Sequence, residues 1–211
     1  MKFDRTVVDD RYVDNAIIGI RHSFDSESKS DSYIGENGLL ILGKADKKLV
    51  QKLSKAGPSH RKFLRQIPVS VDITTSLEQW KQLDTYKVGT TANSTSTMHT
   101  IHKKPIELFM FDTEGMTPHG IQFLESTIIP ELNEIRLEYL ASHEKDKELW
   151  YDLIGLLPES WMQTRMWTAN YEVIKTICDQ RRGHRLKMWQ DFIGWAHTLP
   201  YADAFIFGEE E

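Results

Sequence analysis

A glycine followed by an almost unbroken run of hydroxyl and amide side chains marks the middle of the chain. Gly89 is followed by Thr90, Thr91, Asn93, Ser94, Thr95, Ser96 and Thr97, with Lys87 just before. A glycine lets backbone approach a ligand closely, and hydroxyls and amides offer short donors and acceptors. Such a run can grip phosphate oxygens and heterocycle edges; the same composition also makes a solvated loop. A second cluster, Arg181-Arg182-Gly183-His184-Arg185, falls where one helix pattern ends and another begins. Guanidinium forks suit bidentate phosphate contacts, and a following helix N-terminus adds free N–H groups. The alternative is that these cations neutralise the C-terminal end of the preceding helix. A third basic group, His60, Arg61, Lys62 and Arg65, precedes the clearest strand pattern and reads as ligand-facing or as a solvated helix face.

Other chemistries find little support. The single cysteine, Cys178, excludes an intrachain disulfide and a thiolate zinc cluster. Its neighbours Ile174 and Ile177 place it on a buried helix face, as an inert thiol. No His-x-x-x-His pair stands on a carboxylate-flanked helix, and His99 with His102 has no acidic companion, so no metal is expected. A Gly-x-Ser-x-Gly elbow, a Walker loop and a dinucleotide glycine fingerprint are all absent. What remains is a set of hydroxyls, amides and arginines without a protein nucleophile. It suits phosphorylated, aromatic ligands whose own atoms carry the reaction. A net charge of −5 argues against a nucleic-acid partner. With no apolar leader and no spanning run, the expectation is a soluble protein of a reducing, cytoplasmic compartment, without a membrane partner.

The elements that must position these residues follow from periodicity. Val13, Ile17 and Ile20 give a helix over 12–20, and 23–32 is a polar loop, either a lid or an ordered binding segment. Leu49, Val50 and Leu53 give a helix over 46–56, with Asp46 as N-cap and Gly57-Pro58 as its stop. Residues 69–73 alternate with period two as a half-buried strand, and Ser76 with Gln79 makes a capping box for a helix over 76–86. A long helical pattern covers 120–142, with Pro130 implying a kink or break, and another covers 145–156. A short strand over 161–168 precedes helices over 171–180 and 184–197, and the tail over 207–211 is expected to fray. At 211 residues, with no long linker and no repeat, the expected fold is a single helix-rich α+β domain with a small, mainly antiparallel sheet.

Taken in order, these segments resemble the flavin-dependent thymidylate synthase (ThyX) family, over roughly residues 60–195. The family carries a signature R-H-R-x-x-S-x-N-E-x-S-x-R-Y. Asn93 and Ser96 fall on its N and second S, and Thr91 on its first S. Residues 60–67 and the strand after them resemble the family's His-x-x-Pro-Phe-Glu-His stretch. Asn170 and Arg181, eleven positions apart and preceded by Leu157-Pro158, reproduce a downstream spacing of the family. Tyr86-Lys87-Val88 stands where the family has Arg-His-Arg, Ser94 replaces its Glu, and Met98-His99 replaces its Arg-Tyr.

The resemblance implies a ThyX-like homotetramer with FAD between subunits and the pyrimidine of dUMP stacked on the flavin. It implies one-carbon transfer from methylenetetrahydrofolate to the uracil C5 using reduced FAD, with NADPH as the source of electrons. It assigns Ser94, Ser96, Arg181 and Arg182 to the nucleotide. To FAD it assigns His60, Lys62, Arg65, Lys87, Thr90, Thr91, Asn93, Asn170 and His184, with Arg21 or the cations of 60–65 compensating for the missing arginines. The departures leave two alternatives: hydroxymethylation of dUMP or dCMP, and a degenerate flavin- or nucleotide-binding protein.

Overall fold

The pattern of buried positions explains each element. The computed structural model describes residues 1–209. In chain order the elements are β1 (Lys2–Val7), α1 (Asp10–His22), β2 (Tyr33–Ile34), β3 (Leu40–Ile41), α2 (Lys44–Lys55), β4 (Pro68–Ser76) and α3 (Leu77–Leu83). They continue as β5 (Thr91–Ser94), α4 (Thr97–Thr100), α5 (Pro118–Phe123), α6 (Ile129–Ala141), α7 (Lys147–Gly155), β6 (Met162–Asn170), α8 (Tyr171–Arg181) and α9 (Lys187–His197). Strands β1, β4, β6 and β5 form one sheet in that order, and β2 with β3 makes a small antiparallel ribbon. In β4, Val69, Val71 and Ile73 are buried and the residues between them half-buried, as period two requires.

Strands β4 and β6 run antiparallel, as their side-chain ties show. Ser70 meets Thr168 at 2.9 Å and Thr74 meets Thr164 at 2.7 Å, so one strand ascends as the other descends. The register continues past both ends, where the Tyr171 amide donates to the Ile67 carbonyl and the Leu77 amide to the Trp161 carbonyl.

The chain forms two compact units. The first comprises Met1–Ile73, Tyr86–Ala92 and Met166–Glu211; the second comprises Thr74–Thr85 and Asn93–Arg165. In the first, Ile17, Leu64, Ile67, Ile73, Tyr171, Trp189, Phe192 and Phe205 are almost wholly inaccessible. In the second, Ile101, Ile106, Phe111, Leu124, Ile129, Leu132 and Leu153 make the core.

Several expectations are corrected. Asp46 is not the N-cap of α2: the helix starts two residues earlier, with Gly43 in the cap position. The Asp31 carboxylate bonds the Ala45 and Asp46 amides instead. Ser76 caps α3, but the Gln79 side chain turns to Thr75 and Asp112 rather than closing a capping box. The long helical pattern is interrupted ahead of Pro130, in keeping with the break that residue implies: α5 ends at Phe123 and α6 begins at Ile129. A π-helical turn, Leu124–Ile128, joins the two, with the Ile129 amide donating to the Leu124 carbonyl. The tail is anchored through Glu209: Asp203–Phe207 forms a π-helical turn with Ala204, Phe205 and Ile206 buried, and the buried Lys175 ammonium donates to the Ile206 carbonyl at 2.8 Å. Residues 210–211 of the expected frayed end lie outside the described residues. Strand β1 had no signal in the sequence because only Phe3 faces inward, stacked on Trp195 at 4.8 Å.

Candidate functional site

The turn before β5 is shaped by Gly89. Its φ is +79°, a backbone region that side chains disfavour, and the Thr90 amide closes the turn on the Lys87 carbonyl at 3.3 Å. A Cβ at position 89 would stand 3.3 Å from Val173 Cγ2 and 3.4 Å from Asn170 Nδ2, so the turn presses on the start of α8. At the other end of α8 the Tyr86 hydroxyl donates to Gln180 Oε1 at 3.0 Å. The segment bearing Lys87 therefore lies along α8, with Gly89 beside its start at Asn170 and Tyr86 beside its end at Gln180.

Each of these groups has a defined remaining capacity. The Asn170 Oδ1 caps α8 by accepting from the Val173 amide at 3.1 Å, which leaves its Nδ2 donor. The Thr90 hydroxyl donates to the Tyr86 and Lys87 carbonyls and retains only its acceptor role. His184 Nδ1 accepts from the Leu186 amide at 3.1 Å, so its neutral form carries the proton on Nε2. The Arg181 guanidinium lies 4.6 Å from the Trp189 ring and 5.5 Å from the Tyr86 ring. Its Nε is buried and has no acceptor among the described residues. Lys87 and Arg182 are exposed.

The third basic group divides. Arg61 is engaged with Glu172 at 3.0 Å and Asp179 at 3.7 Å, both on α8. His60 and Lys62 instead border a cavity of about 390 Å3, with Ser23, Phe24 and Gln66 beside them and Ile20, Leu53 and Phe63 as its apolar part. A Cβ at Gly19 would stand 3.0 Å from Gln66 Oε1, the tip of a flexible side chain. Arg65 is exposed. Arg21 is not available to a ligand: it is buried against Asp46, with nitrogens at 2.6 and 2.7 Å. The same carboxylate accepts from the Ser30 hydroxyl and from the Asp31 and Ser32 amides. Burial alone would raise the Asp46 pKa; the donors from Ser32, Ser30, Arg21 and Asp31 outweigh it and hold the group at about 2. The end of the 23–32 loop is thus an ordered, pinned segment.

In the second unit, Asn93 and Ser94 are exposed on β5. The Ser96 hydroxyl caps nothing, although its carbonyl accepts from the His99 amide and the Thr100 hydroxyl. One group in this unit gives no signal in the sequence. Arg165 lies 4.2 Å over the Trp80 ring, paired with Asp84 at 3.2 Å and bonded to Gln163. Its ring and carboxylate partners, Trp80 and Asp84, lie some eighty positions away, so spacing could not reveal it. In the first unit, His197, Asp203 and Glu209 bring ligand-type atoms within 4.8 Å of one another at the surface. Cys178 is buried as expected, and burial pushes its thiol up to about 12. No helix among the described residues is long and apolar enough to cross a membrane.

Comparison with known proteins bears on this arrangement. The sequence matches no protein-family model and no curated protein. In three dimensions the chain is similar over 98% of its length to a Thymidylate Synthase X (ThyX) from Helicobacter pylori solved with FAD and dUMP. The TM-score is 0.71 and the identity 17%, and 97% of that chain is covered. It is similar at TM-score 0.66 and 17% identity to a further Helicobacter pylori flavin-dependent thymidylate synthase ThyX, complexed with FAD and dUMP, over 98% of both chains. The fold is therefore ThyX-like: helix-rich, with a small antiparallel sheet.

Proposed function

We propose that this protein is a flavin-dependent thymidylate synthase-like enzyme. In this reading it transfers a one-carbon unit from methylenetetrahydrofolate to C5 of dUMP, using FAD reduced by NADPH and working in the cytoplasm as a single ThyX-like domain assembled into a homotetramer. The observation that carries this reading is Arg181. It is a guanidinium whose buried Nε has no partner among the described residues, at the end of a helix whose start abuts the Gly89 turn. An arginine without a carboxylate partner is suited to an external anion. The similar folds solved with FAD and dUMP support the choice of ligands.

The residues present fit such ligands. The orphaned Arg181 Nε supplies a donor for phosphate, and the cavity beside His60 combines an apolar part with polar borders, as a heterocycle requires. FAD, when bound, supplies hydride transfer. The chain's own share is to bind and orient. Arg181 and Ser96 hold the nucleotide phosphate, with Arg182 adding charge. Ser94 serves the nucleotide with a neutral hydroxyl. His60 offers its imidazole and Lys62 and Arg65 their charges to FAD, as does Lys87; Asn93, the Asn170 Nδ2, Thr91 and the Thr90 acceptor give it polar contacts, and His184 donates from Nε2. This reading calls for no side-chain nucleophile, and the buried thiol of Cys178 is kept protonated.

An absorption spectrum of the protein incubated with FAD, with and without dUMP, tests the reading. Flavin bands that shift on adding dUMP, and tritium release from C5-labelled dUMP with folate and reductant, are expected; a protein that stays colourless would overturn it. Arg181→Ala should weaken dUMP binding by about 1.5–3 kcal/mol, the range for a hydrogen bond to a charged group. Calorimetry showing unchanged affinity would place the phosphate elsewhere.

A second reading rests on Ser94. It leaves a neutral, exposed hydroxyl where the family has a carboxylate, which favours a different C5 product such as a hydroxymethyl group. Mass spectrometry of the nucleotide product separates the two.

A further inference from the structure

We propose that Tyr86 and Trp189 form an aromatic clamp that positions the Arg181 guanidinium for the phosphate of a nucleoside monophosphate. The inference rests on the nucleotide-binding role given above to Arg181, and goes beyond it by naming what holds that arginine. The two rings meet edge to face, with centroids 5.9 Å apart at 77°, and the guanidinium carbon sits 5.5 Å from one and 4.6 Å from the other. Both rings are themselves fixed. Trp189 is fully buried and packs edge to face on Phe192 at 6.2 Å. Tyr86 is tied through its hydroxyl to Gln180, the residue next to Arg181.

The electrostatics explain why rings serve better than a carboxylate. The acids of α8 have other partners: Asp179, two residues before Arg181, pairs with Lys175 at 3.2 Å and Arg61 at 3.7 Å, and Glu172, in the first turn, pairs with Arg61. The faces of two π systems attract the guanidinium without occupying its N–H fork or cancelling its charge. A carboxylate in their place would do both, and would compete with the incoming phosphate. Lys87 and Arg182, exposed nearby in sequence, keep the local charge positive. Tyr86 also stands where the resembling family has the first arginine of its Arg-His-Arg. Here the chain carries a ring that orients one cation in place of a second cation. Tyr86 and Trp189 are thus positioning residues, acting on phosphate only through Arg181.

The test is a double-mutant cycle on the full chain, reading dUMP and inorganic phosphate affinity by calorimetry, with FAD affinity and melting temperature in parallel. Tyr86→Phe, which keeps the ring, should bind dUMP within about twofold of the parent. Tyr86→Leu should bind it about three- to thirtyfold more weakly, the span of a cation–π contact, with little change in FAD affinity. Added to Arg181→Ala, Tyr86→Leu should cost nothing further, because the clamp acts through the arginine. Tyr86→Met is the substitute if the leucine variant does not fold. Parent-like dUMP affinity in Tyr86→Leu, or additive losses in the double variant, would overturn the clamp. A parent protein that binds dUMP through this coupled pair but takes up no flavin would leave the clamp standing and remove the enzyme reading. A parent that binds neither dUMP nor phosphate would overturn both.

Discussion

Asp46 shows how a residue's role depends on its partners. It reads in sequence as a helix cap, yet its carboxylate is buried and gathers Arg21, Ser30 and two loop amides. Removing one member of a buried ion pair leaves the other uncompensated, so Asp46→Ala should destabilise the fold by about 3–5 kcal/mol in urea titration. The pH dependence has a definite sign. The folded pKa of about 2 lies below the ordinary 3.8, so the stabilisation is complete above about pH 4 and is lost as the pH falls toward 2. The shift corresponds to about 2 kcal/mol, and acid titration of the Asp46→Ala variant should lack that contribution. Arg21 and Arg61 give the converse lesson. Both look like ligand-facing cations in sequence, and both neutralise buried or half-buried carboxylates.

At the scale of the element, the turn at Gly89 carries the clearest consequence. Its positive φ and the tight space toward Val173 and Asn170 both oppose a side chain. Gly89→Ala should cost about 1 kcal/mol or more in thermal unfolding and should weaken dUMP binding, because the turn would move off α8. An unchanged melting temperature would show that the turn adapts freely. The long helix over 118–141 makes a related point. Pro130 was visible in the sequence as an interruption, and the π turn before it is the local answer that keeps Leu124, Ile129 and Leu132 in one core.

At the scale of the whole molecule, the ThyX-like fold accounts for the order of the segments and not for the chemistry, which resides in sites. The proposed tetramer is checked by sedimentation velocity on the purified chain. Four copies are expected, and a monomer at every concentration would remove the inter-subunit placement of FAD. Exposed apolar side chains such as Val88, Phe109 and Tyr151, each more than half accessible, mark surface for such contacts to be sought by crosslinking.

Much of the architecture was legible in the chain itself. Apolar residues at helical or alternate spacing announced α1, α2, β4, α7, α8 and α9, because burial of one face is a local periodic demand. Tertiary structure alone decided which charges remain for a ligand. Arg61 meets Glu172 and Asp179 more than a hundred positions away, and Tyr86 and Trp189 converge on Arg181 from opposite directions along the chain. Charges and rings carry no period, and their partners are chosen by distance in space, which only the folded chain defines.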